Sequence, residues 1–96
     1  MKDKLILITG GSSGIGKATA MALFKKGAKI ILQARNIDKL KLTVNEIDPS
    51  GKRISTYSTD LTNQDSVEAS AKAIIEKEGL PDIIINSAGA GEWLSF

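Results

Sequence analysis

The sequence contains no cysteine and no histidine among its 96 residues. The absence of cysteine excludes a disulfide framework, a thiolate metal site and a cysteine nucleophile. The absence of histidine excludes most zinc sites and every nucleophile that depends on a histidine base. Any chemistry of this chain must therefore use other groups, and we expect no metal site.

Long apolar runs and blocks of like charge are also absent. The apolar run behind the charged start, Leu5 to Ile8, has four residues, which is too short for a secretory core or a membrane span. The 13 Lys+Arg and 11 Asp+Glu give a formal net charge of +2, and no basic block of the kind that follows a nucleic-acid backbone is present. We therefore expect a soluble, cytoplasmic protein with no membrane span and no nucleic-acid partner.

Short apolar runs alternate with longer helical periods along the chain, which is typical of parallel βαβ units. The predicted strands are residues 5–9, 29–34, 53–59 and 83–85. Right-handed crossovers convert this sequence of elements into the strand order 3-2-1-4. The expected fold class is α/β, a Rossmann-like parallel sheet truncated after the fourth strand. The third run carries alternate polar residues, which suits a sheet edge.

Each of the three helical periods carries an apolar stripe. Gly27 is the expected C-terminal cap of the first helix, and Asn36 is the expected N-cap of the second. Thr62 with Asp65 resembles a capping box for the third. The first two helices should cover one face of the sheet and the third helix the other, which leaves the fourth strand as an exposed apolar edge. The stripes are Ile15, Ala18, Ala22 and Leu23, then Ile37, Leu40, Val44 and Ile47, then Val67, Ala71, Ile74 and Ile75.

The loop after the first strand, residues 9–16, reads Thr-Gly-Gly-Ser-Ser-Gly-Ile-Gly. Glycines let the backbone turn tightly and let a phosphate approach, where free N–H groups and the positive end of the following helix stabilise its charge. A tight turn alone would normally need one glycine. The spacing from Gly11 to Lys17 also fits a nucleotide triphosphatase loop, but Ala18 stands where that loop requires a serine or threonine for magnesium. In open α/β sheets the ligand lies where the strand order reverses, so residues 9–16 and 86–91 should flank one crevice.

The glycine spacing resembles the T-G-x-x-x-G-x-G loop of the short-chain dehydrogenase/reductase family. Asp60-Leu61 looks like the pair with which that family meets the adenine ring, and residues 86–89, Asn-Ser-Ala-Gly, resemble its N-N-A-G motif. The resemblance spans essentially the whole chain and implies a nicotinamide dinucleotide cofactor. The expected cofactor-binding residues are Gly10, Ser12, Ser13, Gly14, Ile15, Gly16, Arg35, Lys39, Asp60, Leu61, Asn86, Ala88 and Gly89.

The residue at the end of the second strand selects between NAD(H) and NADP(H), because an acid there binds the ribose hydroxyls. This position is Ala34, followed by Arg35, whose guanidinium can fork onto a 2′-phosphate, with Lys39 one helical turn later. NADP(H) is therefore favoured, and Ser12 or Ser13 could donate a further hydrogen bond to that phosphate. The alternative is that Arg35 and Lys39 are solvated residues at a helix start.

Other candidate residues have structural alternatives as well. Asp60 could only stabilise the start of the third helix, and Asn86 could satisfy backbone groups beside the cofactor. Trp93 and Phe96 follow the last motif, where the family lines its substrate region, and packing is the favoured role for both.

The family's catalytic residues have no counterpart in this chain. The family uses a serine and a tyrosine with a lysine four residues later, whereas the only tyrosine here is Tyr57, with Leu61 four residues on. The resemblance therefore covers residues 1–96 as the NADP-binding half of a family domain. It implies an oxidoreductase that transfers hydride between NADP(H) and a small carbonyl or alcohol substrate, and a homo-oligomer when intact. The isolated chain should lack reductase activity and tend to associate; the alternative function is a non-catalytic dinucleotide-binding module.

Overall fold

A computed structural model of the chain describes residues 2–11 and 14–87. The elements are β1 Leu5–Thr9, α1 Gly14–Lys25, β2 Lys29–Ala34, α2 Ile37–Ile47, β3 Ile54–Ser58, α3 Gln64–Glu78 and β4 Ile83–Asn86. All four strands form one parallel sheet in the order β3-β2-β1-β4. The predicted fold class and strand order are therefore confirmed, with β3 and β4 at the two edges.

Apolar side chains pack on both faces of this sheet, because successive residues of a strand point to opposite sides. On one face, the larger cluster includes Ala20 of α1 and Leu40 of α2 packed over β1 and β2. On the other face, Leu7 and Ile31 pack with Ile74 of α3. The predicted division, with two helices on one face and one on the other, is confirmed.

The predicted stripe of α1 is wrong at three of its four residues, because Ile15, Ala18 and Ala22 are exposed and only Leu23 packs against the core. The end of the helix is as expected. Ile15 is 74% exposed, and the buried residues of α1 are Gly16 and Ala20. Small residues are buried here because the helix approaches the preceding loop closely, and such residues add little to an apolar pattern. Gly27 ends the helix with φ 93° and donates its N–H to the carbonyl of Phe24 at 3.0 Å, as expected of a C-terminal glycine cap.

The start of α3 also differs from its prediction. Asn63, not Thr62, is the N-cap, and its side chain accepts the N–H of Ser66 at 2.9 Å. Thr62 instead donates its N–H and its hydroxyl to Asp60 Oδ1, at 3.0 and 2.6 Å. Thr62 and Asn63 are adjacent and both are good capping residues, so the sequence alone does not select between them. The N-cap of α2 is Asn36, as predicted.

The edge strand β4 is only partly covered. Ile84 is 46% exposed, and Ile75 and Leu80 are 50% and 77% exposed. These residues line an apolar groove of about 470 Å³ between α3 and β4. The expectation of an exposed apolar edge at the fourth strand is confirmed, while Ile75 of the predicted α3 stripe lies in the groove wall and not in the core. Within the described part of the chain, no helix is long and apolar enough to cross a membrane.

Candidate functional site

The strand order reverses between β1 and β4, and the last residues of these two strands are neighbours. Thr9 pairs with Asn86 in the parallel register, and the Thr9 hydroxyl donates to Asn86 Oδ1 at 3.1 Å. Thr9 is fully buried, whereas Asn86 is exposed. Ligands of open α/β sheets bind beyond the strand ends at such a reversal, so this edge is the candidate site.

The glycine loop that follows β1 is built on close backbone contacts. Gly10 has φ 72°, a conformation that favours glycine, and donates its N–H to the carbonyl of Gln33 at 2.6 Å. A Cβ on Gly16 would lie 2.5 Å from the Gly10 carbonyl oxygen and 2.6 Å from Ser87 Oγ. A Cβ on Gly11 would lie 2.8 Å from Cδ2 of Leu32. The fold itself therefore accounts for Gly10 and Gly16, and a side chain at Gly11 would displace Leu32.

Gly14 differs from the other three glycines of the loop. Among residues 2–11 and 14–87, and apart from the backbone of α1 itself, no atom lies within 4 Å of the place where its Cβ would stand, although it is the first residue of α1. The next residue, Ile15, is 74% exposed. Packing within the described residues therefore does not explain why residue 14 is a glycine. It also does not explain why the apolar side chain of Ile15 is exposed.

Ser87 fastens the end of β4 to the glycine loop, a role that the sequence analysis missed. Its hydroxyl lies 2.6 Å from the carbonyl oxygen of Thr9 and 3.3 Å from that of Gly10, and donates to them. Its N–H also donates to Thr9, at 3.0 Å. The available signal was a hydroxyl residue directly after a strand that neighbours β1. The sequence alone does not indicate which carbonyl groups it reaches.

A second group of predicted residues lies at the ends of β2 and β3. Arg35 Nη2 is 3.2 Å from Asp60 Oδ2, with the arginine side chain 78% exposed and the aspartate 33%. Hydrogen bonds from the Thr62 hydroxyl and N–H, with a smaller contribution from the Arg35 charge, hold the pKa of Asp60 below its ordinary value of 3.8. Asp60 is therefore ionised at neutral pH and takes part in the turn before α3, as its structural alternative required.

Lys39 and Leu61 complete the predicted residues at this edge. The Lys39 N–H donates to the Asn36 side chain at 3.2 Å, and its exposed ammonium makes no ion pair with residues 2–11 or 14–87. Leu61 is half-buried directly after Asp60. The remaining predictions, at Ser12, Ser13, Ala88 and Gly89, and the aromatic residues Trp93 and Phe96, lie outside the described residues.

A buried polar cluster supports this edge from the α3 side. Gln33 is fully buried, and its Nε2 donates to Thr59 Oγ1 at 3.1 Å and to Ser70 Oγ at 2.8 Å. Thr59 in turn donates to Ser70 at 2.7 Å. The cluster ties the end of β2 to α3 and to the residue before Asp60. Sequence reasoning missed it, because a glutamine inside a strand gives no indication of its partners.

The environment of Tyr57 raises its pKa, whereas a catalytic tyrosine needs a lowered one. Its phenol donates to Glu78 Oε2 at 2.8 Å. Burial, followed by the hydrogen bond and the negative charge of Glu78, raises the pKa of Tyr57 to about 12. A general acid needs a pKa near neutrality, so this tyrosine is not suited to that role.

Comparison with known proteins places the chain in a family. The family model for short chain dehydrogenase matches residues 4–96. An uncharacterized oxidoreductase of Listeria monocytogenes is 42% identical over 89 residues, which cover 93% of this chain and 36% of that protein. The chain thus spans little more than a third of the length of this relative.

Two solved structures share the fold. One is a short chain dehydrogenase from Bacillus anthracis, with a TM-score of 0.83, 39% identity, and coverage of 92% of this chain and 35% of the other. The second is a metagenomic short-chain oxidoreductase in complex with NADP, with a TM-score of 0.85, 33% identity, and coverage of 95% and 41%. The similarity that the glycine spacing predicted is confirmed, and the chain belongs to the short-chain dehydrogenase family.

Proposed function

We propose that residues 1–96 form the cofactor-binding half of an oxidoreductase that transfers hydride between NADP(H) and a small carbonyl or alcohol substrate. The observation that carries this proposal is the contrast between Gly16 and Gly14. Gly16 is required by contacts inside the protein, whereas the Cβ position of Gly14, at the start of α1, meets no side chain of the described residues within 4 Å. The fold does not require a glycine at position 14. A ligand that approaches the backbone at this point would explain why the residue is glycine.

The start of α1 is chemically suited to a pyrophosphate. The backbone N–H groups at a helix N-terminus and the positive end of the helix dipole attract an anion, and the first turn of α1 carries no acidic residue. Exposed Ile15 would lie against an apolar part of the cofactor. Gly10 and Gly16 would shape the cradle, and Ser12 and Ser13 would add donors. At the neighbouring strand, Asn86, Ala88 and Gly89 would border the nicotinamide half.

The adenosine half would lie along the ends of β2 and β3. Arg35 is exposed and can fork onto a 2′-phosphate, and Lys39 adds a second positive charge without a competing ion pair among the described residues. Asp60 and Leu61 would border the adenine ring. Position 34 is an alanine, so the acid that would bind a ribose 2′-hydroxyl is not present there. We therefore propose NADP(H) over NAD(H).

The nicotinamide, when bound, supplies or accepts the hydride. This chain's own residues bind and orient the cofactor, and its one tyrosine is engaged by Glu78. In the proposed enzyme, the proton donor for the substrate oxygen would be a residue other than those of this chain. We expect no turnover of carbonyl substrates by the isolated chain.

A non-catalytic dinucleotide-binding module is the second candidate, since such a module needs the binding residues of this chain and no Tyr-x-x-x-Lys pair. Both candidates bind the cofactor, so they are separated by the reading frame after Phe96. An in-frame Tyr-x-x-x-Lys supports the enzyme, whereas a stop codon supports the binding module. Cytoplasmic location and homo-oligomeric assembly of the intact protein stay predictions of the sequence.

The cofactor preference is tested by dissociation constants for NADPH and NADH, measured by calorimetry on the purified chain. We expect NADPH to bind more tightly. Arg35→Gln should weaken NADPH binding about tenfold, the equivalent of about 1.4 kcal/mol, and leave NADH within about twofold, because it removes a charge-assisted bond to the phosphate. Lys72→Gln removes the same charge from exposed α3 and should change neither constant. Tighter NADH binding by the unmodified chain would contradict the role of Arg35.

A further inference from the structure

The end of β2 and the residue after it are tied to the end of β3 and the loop after it at three points. The N–H of Thr59 donates to the carbonyl of Ala34 at 2.8 Å. The hydroxyl of Ser58 donates to the carbonyl of Arg35 at 2.9 Å, and the Arg35 guanidinium pairs with Asp60 at 3.2 Å. The residue expected to bind a 2′-phosphate is thus attached, through main chain and side chain, to a loop that carries a carboxylate.

The carboxylate of Asp60 is held in place by its own loop. Oδ1 accepts two hydrogen bonds from Thr62, and the N–H of Asp60 donates to Ser66 Oγ of α3 at 3.0 Å. With one oxygen engaged in the turn, the other is directed at Arg35. The carboxylate of Asp60 therefore stays in place, close to the Arg35 site, when the Arg35 side chain, 78% exposed, turns toward a ligand.

We propose that Asp60 is a specificity-determining counter-ion of Arg35, which lowers the affinity of the site for a 2′-phosphate and so keeps NAD(H) as a competing ligand. This inference rests on the proposed function. A fixed carboxylate repels a phosphate that approaches its partner guanidinium, and it competes for the same donors. NADH carries no phosphate at that position, so the carboxylate opposes NADPH selectively.

A purely structural role does not account for the ion pair between Arg35 and Asp60. Pairs between exposed side chains contribute little to stability, and the turn before α3 is already closed by the hydrogen bonds from Thr62. The charge of Asp60 and its role in the turn can therefore be separated. Asp60→Asn keeps an oxygen that can accept from Thr62 and removes only the charge.

The test is the ratio of the dissociation constant of NADH to that of NADPH, measured at low salt. A ratio cancels any contact that Asp60 makes with the adenine ring, which both cofactors share. We expect Asp60→Asn to raise the ratio about threefold or more, mainly through tighter NADPH binding, and 0.5 M salt to reduce this gain because it screens the charge. Asp60→Asn should raise the ratio less in the Arg35→Gln background, because the guanidinium that loses its counter-ion in the single variant is then absent.

Two further variants sharpen the result. Asp65→Asn removes an equal charge from the first turn of α3 without a contact to Arg35, and should leave the ratio unchanged. Asp60→Ser removes the carboxylate but keeps a hydroxyl, and should raise the ratio as Asp60→Asn does. Melting curves by circular dichroism confirm that each variant is folded.

The outcomes distinguish this inference from the proposed function. Cofactor binding with a ratio that Asp60→Asn leaves unchanged or lowers would overturn the counter-ion role and leave the proposed function standing. An equal rise in the Arg35→Gln background would also overturn it, because Asp60 would then act without Arg35. Failure of the unmodified chain to bind either NADPH or NADH would overturn both.

Discussion

Ser87 donates its hydroxyl to the carbonyl oxygen of Thr9 at 2.6 Å, and this bond joins the end of β4 to the start of the glycine loop across 78 residues of sequence. Both strands end at the point where the sheet order reverses, so the shape of the loop depends on β4. Ser87→Ala should lower the free energy of unfolding by about 1 kcal/mol, a typical contribution of one hydrogen bond. Urea unfolding followed by circular dichroism measures it, with exposed Lys72→Ala as the control, and an unchanged midpoint would contradict this role.

Arg53 closes the end of α1. Its guanidinium donates to the carbonyls of Phe24 at 2.6 Å and Ala28 at 3.2 Å, and it lies 4.0 Å from the centre of the Phe24 ring. Arg53→Ala should lower the free energy of unfolding by about 2 kcal/mol, because it removes two hydrogen bonds to backbone carbonyls and a cation–π contact. Arg53→Lys should recover part of this loss. Equal stabilities of the alanine and lysine variants would show that the charge and its hydrogen bonds do not matter.

Acid should destabilise the protein partly through Asp48. This buried carboxylate accepts from the Ser50 hydroxyl and from the N–H of Arg53. The Ser50 hydroxyl, followed by backbone donors and opposed by burial, lowers the pKa of Asp48 below its ordinary 3.8. A lowered folded-state pKa gives stability that is present above the unfolded-state pKa and is lost as the pH falls through the folded value.

Unfolding free energies between pH 7 and pH 2.5 test this. The unmodified chain should lose stability below about pH 4, and Asp48→Asn should be less stable at pH 7, by about 1 kcal/mol or more, with a shallower loss in acid. Parallel acid curves for the two proteins would exclude Asp48 as a contributor. Asp38→Asn, at an exposed aspartate in the first turn of α2, serves as the comparison.

The isolated chain should self-associate through β4. Ile84 is 46% exposed on an edge strand beside the apolar groove, and unpaired edges with apolar side chains promote association. Ile84→Lys should shift sedimentation toward the monomer and leave the melting temperature within a few degrees. Sedimentation of the unmodified chain as a monomer at millimolar concentration would refute the prediction.

The sequence predicted the sheet well, because its signals are local. Buried parallel strands read as continuous apolar runs, and β1 and β2 have the predicted bounds. Right-handed crossovers then leave few possible topologies. The same reasoning located the ends of the strands, and so the region where Gly10, Arg35, Asp60 and Asn86 lie.

The remaining features depend on contacts between distant residues. Gly16 is buried because α1 approaches the loop closely, and an apolar pattern gives no sign of that approach. Ser87 and Gln33 act on residues far along the chain, so their partners are known only once the strands are aligned. The ion pair of Arg35 with Asp60 likewise follows from the ends of β2 and β3 being neighbours.

The most direct test of the account compares NADPH binding and stability for Gly14→Ala. A methyl group there meets no side chain within 4 Å in the part of the chain that the structure describes, and alanine suits a helix better than glycine by about 0.5–1 kcal/mol. The melting temperature should therefore stay the same or rise. The account predicts that this folded variant binds NADPH at least about tenfold more weakly, a loss of about 1.4 kcal/mol, because the methyl group occupies the space of the pyrophosphate. NADPH binding equal to that of the unmodified chain would contradict it.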